Sequence, residues 1–439
     1  MSAEGTLYDV IIVGCGPAGI AAAIDFRTAR PETRFLLLEA RDRVGGRVAT
    51  DTHTFGIDTP VDIGAQWIHH YRPENPLYTY HRSSLTNQIE EEFVPRSPTT
   101  AFFDIDGSRI SSEAMREAQD AFDEQCDRIK ASVDASDRSI LDMIERDPRD
   151  SQHTRLIDLL FGFFEQFEAS NLDELSATSF ANSESEMLER NMAMPNGYGN
   201  LVEQIVKQYE LPVELNSVVT RIDATSSNST VRISTDDQRQ FSSRYVLVTV
   251  PLGCLKARSI EFTPPLPERK QTAIDRMGFG LLNKIVLQFP FVFWDPQWAT
   301  FFCASPRFQF IVCQPRQRIL TIMIGARAAV EIEQQTDEET IADAMSLLRL
   351  IFFDQPVPDP TRFLITRWKQ DPFARGSYSN FSVGTDRETL VDLAQECHER
   401  IYWAGEHTNY DGNIGCVDSA FESGQREAQR IGQKLHVDL

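Results

Sequence analysis

A motif near the N-terminus has glycines at the spacing that holds phosphates. Positions 14–19 are GCGPAG, after an apolar, mostly β-branched run at 10–13 and before an alanine-rich segment. This order of strand, tight turn and helix is what a dinucleotide fingerprint requires. Gly14 would form the turn, Gly16 would let the backbone approach a pyrophosphate, and Gly19 would let the helix pack closely on the strand. The helix start, with Ala18, would offer free N–H groups and partial positive charge to the phosphates.

A carboxylate follows the next apolar run, as that fingerprint requires. The run at 35–38 ends at Glu39, whose carboxylate would accept hydrogen bonds from the hydroxyls of an adenosine ribose. The segment 40–50 then has two glycines flanked by arginines, and the Arg47 guanidinium can bind a diphosphate through two hydrogen bonds. A charged surface turn is the alternative for this segment. Its position directly after Glu39 favours the cofactor, and the sequence predicts a bound dinucleotide.

Three later stretches have residue types suited to the far end of such a cofactor. In GAQWIHH, at 64–70, Gly64 and Ala65 lack bulk where a planar ring could pack, while Trp67 and His69 could line a pocket. Lys284 is a single cation on the apolar strand pattern 284–289, and from burial alone an edge-strand lysine that reaches solvent is the commoner arrangement. The loop at 367–379 is long, aromatic and charged, which is typical of loops that carry a site.

The elements that position these stretches alternate between two sheets. A short strand that starts at Arg400 and ends in Gly405-Glu406, a glycine-rich turn and a small-residue helix at 418–428 repeat the order of the first segment, so the last segment would meet the other end of the same cofactor. Strands are also predicted at 212–222, 230–233 and 245–250, and helices at 201–209 and 338–352.

The remaining segments supply a second unit. The block from about 73 to 189 has helical spacing, and the aromatic stripe of its 156–168 helix favours core packing over a cofactor site. The predicted fold class is α/β. A discontinuous Rossmann-like cofactor domain (1–80, 195–263 and 386–439) accompanies a mixed α+β substrate domain (81–194, a mainly helical insertion, and 264–385, a mixed sheet).

Composition narrows the possible partners. The 439 residues carry a net charge of −22, so nucleic acid is an improbable partner. Solubility is the simpler account of this charge, and a field that attracts a cationic substrate is the alternative. Seven scattered cysteines form no CxxC pair and no metal-ligand spacing, which is typical of reduced thiols. We find no signal peptide and no membrane-length apolar stretch, so we expect a soluble, cytoplasmic protein without a metal site or membrane partner.

Together these motifs resemble the FAD-dependent amine oxidase family of monoamine oxidases, polyamine and spermine oxidases and lysine-specific histone demethylases. The matching pieces are GCGPAG with Glu39, ARDRVGGRV, GAQWIHH, the Asn283-Lys284 pair, WKQDPFARGSYS and YWAGEHT, which cover nearly the whole chain. GAQWIH followed by Asn75-Pro76-Leu77 looks closer to the polyamine oxidase and demethylase branch. The resemblance implies FAD and a two-domain amine oxidase fold.

The resemblance also implies roles for individual residues. Lys284, Tyr378 and His69 match positions at the reaction site, and Lys284 matches the lysine that hydrogen-bonds a water facing flavin N5. Glu39 would bind the adenosine ribose, Val219 the adenine, and Glu406 the region near the ribityl chain and diphosphate. Other cofactor-binding positions match Gly14, Gly16, Ala18, Gly19, Arg41, Arg47, Gly64, Ala65, Gln66, Trp67, Trp368, Gly405, Cys416 and Val417.

Departures from the family pattern refine these expectations. Ser377 replaces the cysteine that bonds FAD covalently in monoamine oxidases, so FAD is expected to be non-covalent. Tyr378 matches the first tyrosine of the aromatic pair that flanks the amine, but Cys416 stands at the second. The segment 412–415 is longer than the usual turn, and His70 replaces a common glycine, where its bulk could reshape the substrate entrance.

The leading hypothesis is an oxidase of a polyamine or related secondary amine that reduces O₂ to H₂O₂, as a monomer or homodimer. The second is an L-amino acid oxidase or a biosynthetic tailoring oxidase, in which Arg72 or Arg375 would have to face the flavin and bind a carboxylate. The third is a chromatin-associated lysine demethylase or scaffold. It ranks lowest because no added helical hairpin, basic arm or histone-reading module is found.

Overall fold

The computed structural model describes residues 6–56, 58–84, 100–132, 136–146, 149, 151–182, 191–194, 196–225 and 230–437. These residues form twenty strands, twelve α-helices and two short 3₁₀-helices. The strands are β1 (Leu7–Val13), β2 (Phe35–Leu38), β3 (Thr50–Asp51), β4 (Val61–Asp62), β5 (Trp67–Ile68), β6 (Thr100–Phe103), β7 (Met192–Ala193), β8 (Val213–Glu214), β9 (Val219–Asp223), β10 (Val231–Thr235), β11 (Gln240–Val248), β12 (Glu261–Thr263), β13 (Gly278–Phe279), β14 (Leu282–Gln288), β15 (Thr300–Cys303), β16 (Phe310–Gln314), β17 (Ile319–Gly325), β18 (Arg362–Ile365), β19 (Ser379–Asn380) and β20 (Ile401–Trp403). The α-helices are α1 (Pro17–Ala29), α2 (Tyr78–Ser84), α3 (Ser112–Ala131), α4 (Gln152–Glu168), α5 (Ala177–Asn182), α6 (Tyr198–Gln208), α7 (Leu252–Lys256), α8 (Glu268–Arg276), α9 (Ala326–Ile332), α10 (Asp337–Ile351), α11 (Arg387–Ala394) and α12 (Val417–Val437).

The larger sheet has eight strands in the order β12-β9-β10-β11-β1-β2-β8, with β20 beside the C-terminal part of β11. The strands β20, β11, β1, β2 and β8 run parallel. Alternate side chains of β1 enter different cores: Val10 and Ile12 pack with α1 and α12, whereas Ile11 and Val13 pack with α8 and α11. Burial on both faces explains the continuous apolar run of β1.

The second sheet has six strands in the order β18-β14-β17-β16-β15-β6, and only β6 and β15 pair in parallel. All strands of the larger sheet come from the segments 1–80, 195–263 and 386–439. All strands of the second sheet come from 81–194 and 264–385. Each sheet is thus assembled from separated stretches of chain. The boundaries of the two predicted domains remain a prediction.

Two sequence expectations about strands are wrong. The strand expected at 212–222 is two strands, since β8 pairs with β2 whereas β9 pairs with β10 and β12. Between them Asn216 has a φ of 51°, a left-handed conformation that interrupts a strand. The edge-strand alternative for Lys284 also fails, because β14 lies inside its sheet between β17 and β18 and Lys284 is 3% exposed.

Other predicted elements match closely. The strand at 35–38 is β2, the helix at 201–209 is α6 with an added first turn, and the helix at 338–352 is α10. Thr336 and Glu339 form a capping box at the start of α10. The last helix, α12, is longer than the predicted 418–428 and packs along α1. The two helices after the two glycine-rich turns therefore lie side by side on one face of the larger sheet.

Candidate functional site

One continuous cavity with a volume of 1670 Å³ joins the two sheets. This exceeds the volume of roughly 1,000 Å³ that bounds most small-ligand sites. Its dinucleotide end is lined by the β1–α1 turn, Glu39 and Val219, and its distal end by Glu168, Tyr378 and Cys416. Every site residue predicted from the sequence except Gly19 lines the cavity: Gly14, Gly16, Ala18, Glu39, Arg41, Arg47, Gly64, Ala65, Gln66, Trp67, His69, Val219, Lys284, Trp368, Tyr378, Gly405, Glu406, Cys416 and Val417. Their individual roles remain predictions.

The three glycines of the first turn have different surroundings. Gly14 has a φ of 108°, which favours glycine. A Cβ on Gly19 would lie 2.2 Å from the Gly14 carbonyl oxygen, so Gly19 lies behind the turn and allows α1 to pack against it. A Cβ on Gly16 would meet no protein atom within 4 Å. The space above Gly16 is therefore left free on the side that faces the cavity, where a pyrophosphate can approach.

The buried carboxylate of Glu39 is held by the backbone. Its two oxygens accept hydrogen bonds from the Cys15 amide at 2.8 Å and the Arg41 amide at 2.9 Å, and the residue is 5% exposed. A carboxylate fixed in this way, at the end of β2 and beside a glycine-rich turn, suits the hydroxyls of an adenosine ribose. Val219, the first residue of β9, lines the same end of the cavity.

The two arginines of the 40–50 segment are held differently. Arg41 makes a two-bond ion pair with Asp371, at 2.8 and 3.0 Å, so its guanidinium links the cofactor loop to the 367–379 loop. Arg47 donates to the Ser377 carbonyl oxygen at 2.6 Å and to the Glu406 carboxylate at 3.1 Å. Arg47 therefore joins three of the predicted cofactor segments. This is a position from which a cation can balance a diphosphate.

Glu406 organises the end of the cavity near α12. Its carboxylate accepts hydrogen bonds from the Ser379 hydroxyl at 3.1 Å and from the Gly415 amide at 3.0 Å. The Gly405 amide donates to Ser423 in α12 at 2.9 Å. The 412–415 segment, which the sequence marks as long, is thus fixed to the strand-turn-helix unit that repeats the first one.

Lys284 is a buried cation with three oxygen partners. Its Nζ donates to the carbonyl oxygens of Asp62 at 2.7 Å and Gly64 at 2.9 Å, and to the side-chain oxygen of Gln66 at 3.0 Å. Burial lowers the pKa of Lys284 to about 8, against the opposing effect of Asp62. Trp368 supports the same turn, since its indole N–H donates to the Ile63 carbonyl at 3.2 Å. These contacts fix the backbone of the 62–66 turn, where a flat ring could pack on Gly64 and Ala65.

The distal end contains a carboxylate that the sequence analysis missed. Glu168, the last residue of α4, lines the cavity, and no hydrogen bond or charge from the described residues offsets the burial of its carboxylate. Burial raises the pKa of Glu168 to about 7. The neighbouring Tyr378 hydroxyl donates to the Phe167 carbonyl at 2.9 Å, and burial together with Glu168 raises the pKa of Tyr378 well above its usual value. A cation that entered this end would find an uncompensated carboxylate.

The aromatic stripe of α4 is only partly core, which corrects the sequence interpretation. Phe161 is 3% exposed and packs on Phe122, with ring centroids 4.7 Å apart. Phe163, Phe164 and Phe167 are half-buried and line the cavity. The i, i+4 spacing of Phe163 with Phe167 and of Phe164 with Glu168 places these pairs on one face of a helix, and this was the available signal. The helical block therefore does contribute to the candidate site.

The two histidines differ in their surroundings. His69 Nδ1 lies 2.8 Å from the side-chain oxygen of Asn191, and burial lowers the pKa of His69. His70 has a φ of 47°, a conformation that costs energy for a residue with a Cβ. Its Nε2 lies 3.4 Å from the exposed Asn413 side chain, at the solvent-facing rim of the cavity. The expectation that His70 reshapes the substrate entrance remains a prediction, and its side chain lies at this rim.

The dinucleotide end fits an FAD. A backbone-held carboxylate, open space above Gly16 and the cationic Arg47 match the ADP half, and the cavity continues to a turn with little side-chain bulk at Gly64 and Ala65. Among the described residues no cluster of histidine, cysteine, aspartate or glutamate could hold a metal ion. In the same part of the chain no helix is long and apolar enough to cross a membrane.

Comparison with known proteins agrees with this geometry. The family model for flavin-containing amine oxidoreductases matches residues 17–432. Polyamine oxidase 4 of Oryza sativa subsp. japonica is 31% identical over 97% of this chain and 89% of its own length. Lysine-specific histone demethylase 2 of Homo sapiens is 29% identical over 96% of this chain, which spans only 53% of that protein. A solved double mutant of putrescine oxidase has a TM-score of 0.77 at 21% identity, covering 97% of this chain and 99% of that one.

These findings confirm the predicted α/β fold class, the FAD cofactor and the enzyme class, an oxidoreductase that acts on amines. The chain belongs to the family of flavin-containing amine oxidoreductases.

Proposed function

We propose that this protein oxidises a C–N bond of a polyamine or a related secondary amine. The amine R–CH₂–NH–R′ and O₂ would give the imine R–CH=N–R′ and H₂O₂. Water would then hydrolyse the imine to the aldehyde R–CHO and the amine H₂N–R′. Bound FAD supplies the two-electron acceptor for this oxidation. Relatives named polyamine oxidases, which this chain matches over nearly their whole length, support the substrate class.

The observation that carries the proposal is the carboxylate of Glu168. It faces the cavity beside Tyr378, without a partner among the described residues, and burial raises its pKa to about 7. The ionised form of an unpaired carboxylate is unfavourable in a cavity lined largely by apolar side chains, unless a cation binds beside it. A protonated nitrogen of the substrate would supply that cation. The net charge of −22 would add a long-range attraction for polycations.

The other cavity residues would orient the substrate. Tyr378, fixed by its bond to the Phe167 carbonyl, presents a ring beside Glu168 and would restrict the position of the amine. Cys416, at the second position of the expected aromatic pair, is smaller than a tyrosine. The amine would therefore be confined mainly from the Tyr378 side. Lys284 would hold the 62–66 turn, and with it Gln66, in a fixed geometry. The protein thus contributes orientation and electrostatics.

An amino-acid substrate is less well supported. A carboxylate substrate needs a cation, and the arginines among the described cavity residues are Arg41, Arg47 and Arg375. Arg41 and Arg47 are paired with Asp371 and Glu406 respectively. Arg375 is exposed, and it lies near Cys254 together with Arg41 and Arg47, at the dinucleotide end. Arg72 does not line the cavity. A chromatin-associated demethylase remains the third candidate, because this chain matches such proteins over only part of their length.

A substrate panel tests the proposal. We expect amine-dependent H₂O₂ formation with spermine, spermidine or their acetylated forms, and little with monoamines or L-amino acids. Glu168→Gln should raise the KM for a polyamine by about tenfold, as expected for loss of one charge-assisted contact. Glu165→Gln is the matched control, because Glu165 is on the same helix but outside the cavity lining. Failure of every polyamine to react would refute the substrate assignment.

The state of the cofactor can be tested separately. The Ser377 hydroxyl donates to the Leu282 carbonyl at 2.9 Å and accepts from the Leu282 amide at 2.8 Å, so it is engaged in the protein. We propose that FAD is bound non-covalently, and acid precipitation should then leave the yellow flavin in the supernatant. A yellow pellet would contradict this. The monomeric or homodimeric state and the cytoplasmic location also remain predictions.

A further inference from the structure

We propose that the preferred substrate carries a bulky apolar acyl group, such as an aromatic acyl substituent, on a terminal nitrogen, which the acyl group converts to an uncharged amide. This inference rests on the proposed amine oxidation and specifies its substrate class. The group would occupy an aromatic chamber beside Glu168. The chamber is lined by Phe122, Phe163, Phe164, Phe167, Phe180 and Phe310.

The chamber is built from four separate elements. Phe163 of α4 meets Phe310 of β16 edge to face, with ring centroids 5.5 Å apart. Phe164 of α4 meets Phe180 of α5 in the same way at 5.2 Å. Phe122 adds a ring from α3. Two aromatic pairs and further rings therefore surround one volume, in the arrangement that favours contact with another aromatic or branched apolar group.

These rings are half-buried because they face the cavity. In the neighbouring core the ring of Phe161 is 3% exposed, so α4 carries aromatic residues of two kinds, packed and open. When an apolar ligand covers apolar surface that faces water in a concave site, the removal of that surface from water stabilises the complex. The chamber is continuous with the volume beside Glu168 and Tyr378, so the occupant we infer is part of the substrate itself.

Charge distinguishes a capped substrate from a free polyamine. Glu168 is the half-buried carboxylate at this end among the described residues, whereas Asp123, Asp127 and Lys130 of α3 are exposed and lie where the cavity opens to solvent. One ammonium group therefore has a buried partner at Glu168. A second ammonium placed among the phenylalanines would lose its hydration without a buried carboxylate in return. The rings would replace only part of that loss through cation–π contact, of the kind that Lys130 makes at 5.8 Å from the Phe180 centroid. An aromatic acyl cap turns that nitrogen into an uncharged amide, which removes this penalty, and its ring fills the chamber.

The experiment compares three substrates that differ only in the terminal group: spermidine, N¹-acetylspermidine and N¹-benzoylspermidine. The kcat/KM for each is measured by H₂O₂ formation with the FAD-loaded enzyme. We expect the benzoyl compound to exceed the acetyl compound by about tenfold or more, the range that filling an apolar pocket supplies. Equal values, or a preference for free spermidine, would overturn the inference and leave the proposed amine oxidation intact. If none of the three reacts, the proposed function itself fails.

A pair of variants locates the effect. Phe164→Ala should remove most of the benzoyl preference, measured as the ratio of kcat/KM for N¹-benzoylspermidine to that for N¹-acetylspermidine in the same variant. Phe353→Ala is the matched control, since Phe353 is 77% exposed and outside the cavity. Phe164→Leu, which preserves apolar volume, should retain an intermediate preference. A benzoyl preference that survives unchanged in both Phe164 variants would contradict the assignment to the chamber.

Discussion

The two ends of the cavity are built by different means. At the dinucleotide end the contacts come from backbone geometry: a left-handed Gly14, an open Gly16 and a Glu39 carboxylate held by two amides. At the distal end they come from side chains, with Glu168 and phenylalanines of α4 opposite β16. The first end depends on consecutive residues, whereas the second depends on how remote elements pack.

This difference indicates which changes each end tolerates. The dinucleotide end binds the cofactor, which is the same for every substrate. Because this end is built from backbone, a single added Cβ can prevent cofactor binding. A side-chain-built site can change its specificity through substitution on helices that keep their fold. Lys284 acts where both ends meet, because its three hydrogen bonds fix the 62–66 turn.

The largest effect is expected for Lys284→Met. The change removes the ammonium group and leaves the oxygens of Asp62, Gly64 and Gln66 without their donor. Loss of a fixed charge from an active site typically lowers the rate by about 10²–10³-fold, and we expect that loss in amine oxidation or in flavin reoxidation. Stopped-flow absorbance under anaerobic and then aerobic conditions separates the two steps.

A second buried lysine provides the matched control for that experiment. Lys270 is also 3% exposed, but its Nζ donates to the Leu393 carbonyl at 2.6 Å and lies 4.4 Å from the Trp403 ring centroid, outside the cavity. Lys270→Met should keep flavin content and turnover close to those of the unmodified enzyme. Equal losses in both variants would mean that burial of a lysine, rather than its place at the turn, explains the effect.

The next effect tests the backbone-built end. Gly16 has a φ of −82°, which any residue adopts, and an added Cβ meets no protein atom within 4 Å. Gly16→Ala should therefore fold normally but bind FAD more weakly, by about tenfold to a hundredfold, because the methyl group takes the place of the pyrophosphate. FAD titration by fluorescence measures the affinity, and thermal unfolding of the apoprotein measures stability.

Gly19→Ala is the contrasting variant, since its Cβ would lie 2.2 Å from the Gly14 carbonyl oxygen. It should destabilise the apoprotein as well as weaken FAD binding. If Gly16→Ala bound FAD with unchanged affinity, the open space above Gly16 would not be the pyrophosphate site.

The same contrast explains how much the sequence could predict. The motif around Gly14 and the carboxylate of Glu39 are local, so their spacing specifies both structure and contacts, and the fold class followed. Glu168 was missed because its carboxylate becomes important only when α4 packs beside the 367–379 loop. Lys284 was predicted at the reaction site through the family resemblance alone, because its strand pattern favoured an edge strand and does not show that β18 pairs with β14. Whether a strand residue is buried depends on which strands pair on either side of it. The pattern of a single strand does not give this information.

A moderate effect is expected from pH. Burial raises the pKa of Glu168 to about 7, so protonation below that pH removes the charge that would pair with an ammonium group. The ratio of kcat/KM between the unmodified enzyme and Glu168→Gln should fall about fivefold from pH 8 to pH 6, as the ionised fraction falls and the protonated carboxyl comes to resemble the amide. The ratio cancels the ionisation of the substrate, which is the same for both enzymes. A ratio independent of pH would remove Glu168 from the binding site.

The smallest effect concerns the rim of the distal end. His70 has a φ of 47°, and this conformation costs about 1–2 kcal/mol for a residue with a Cβ. In His70→Gly the relief of that cost is offset by the extra entropy of glycine in the unfolded chain, about 0.5–1 kcal/mol. The free energy of unfolding should therefore stay within about 1 kcal/mol of its original value.

The matched control for His70→Gly is His53→Gly, because His53 is exposed and has no positive φ. There the entropy of glycine acts without any compensating relief, so this variant should lose about 0.5–1 kcal/mol in denaturant unfolding. A larger loss in His70→Gly than in His53→Gly would mean that the His70 side chain, through its 3.4 Å approach to Asn413, stabilises the rim. In that case the distal end would be stabilised at its entrance as well as along α4, and side chains rather than backbone geometry would control access to it.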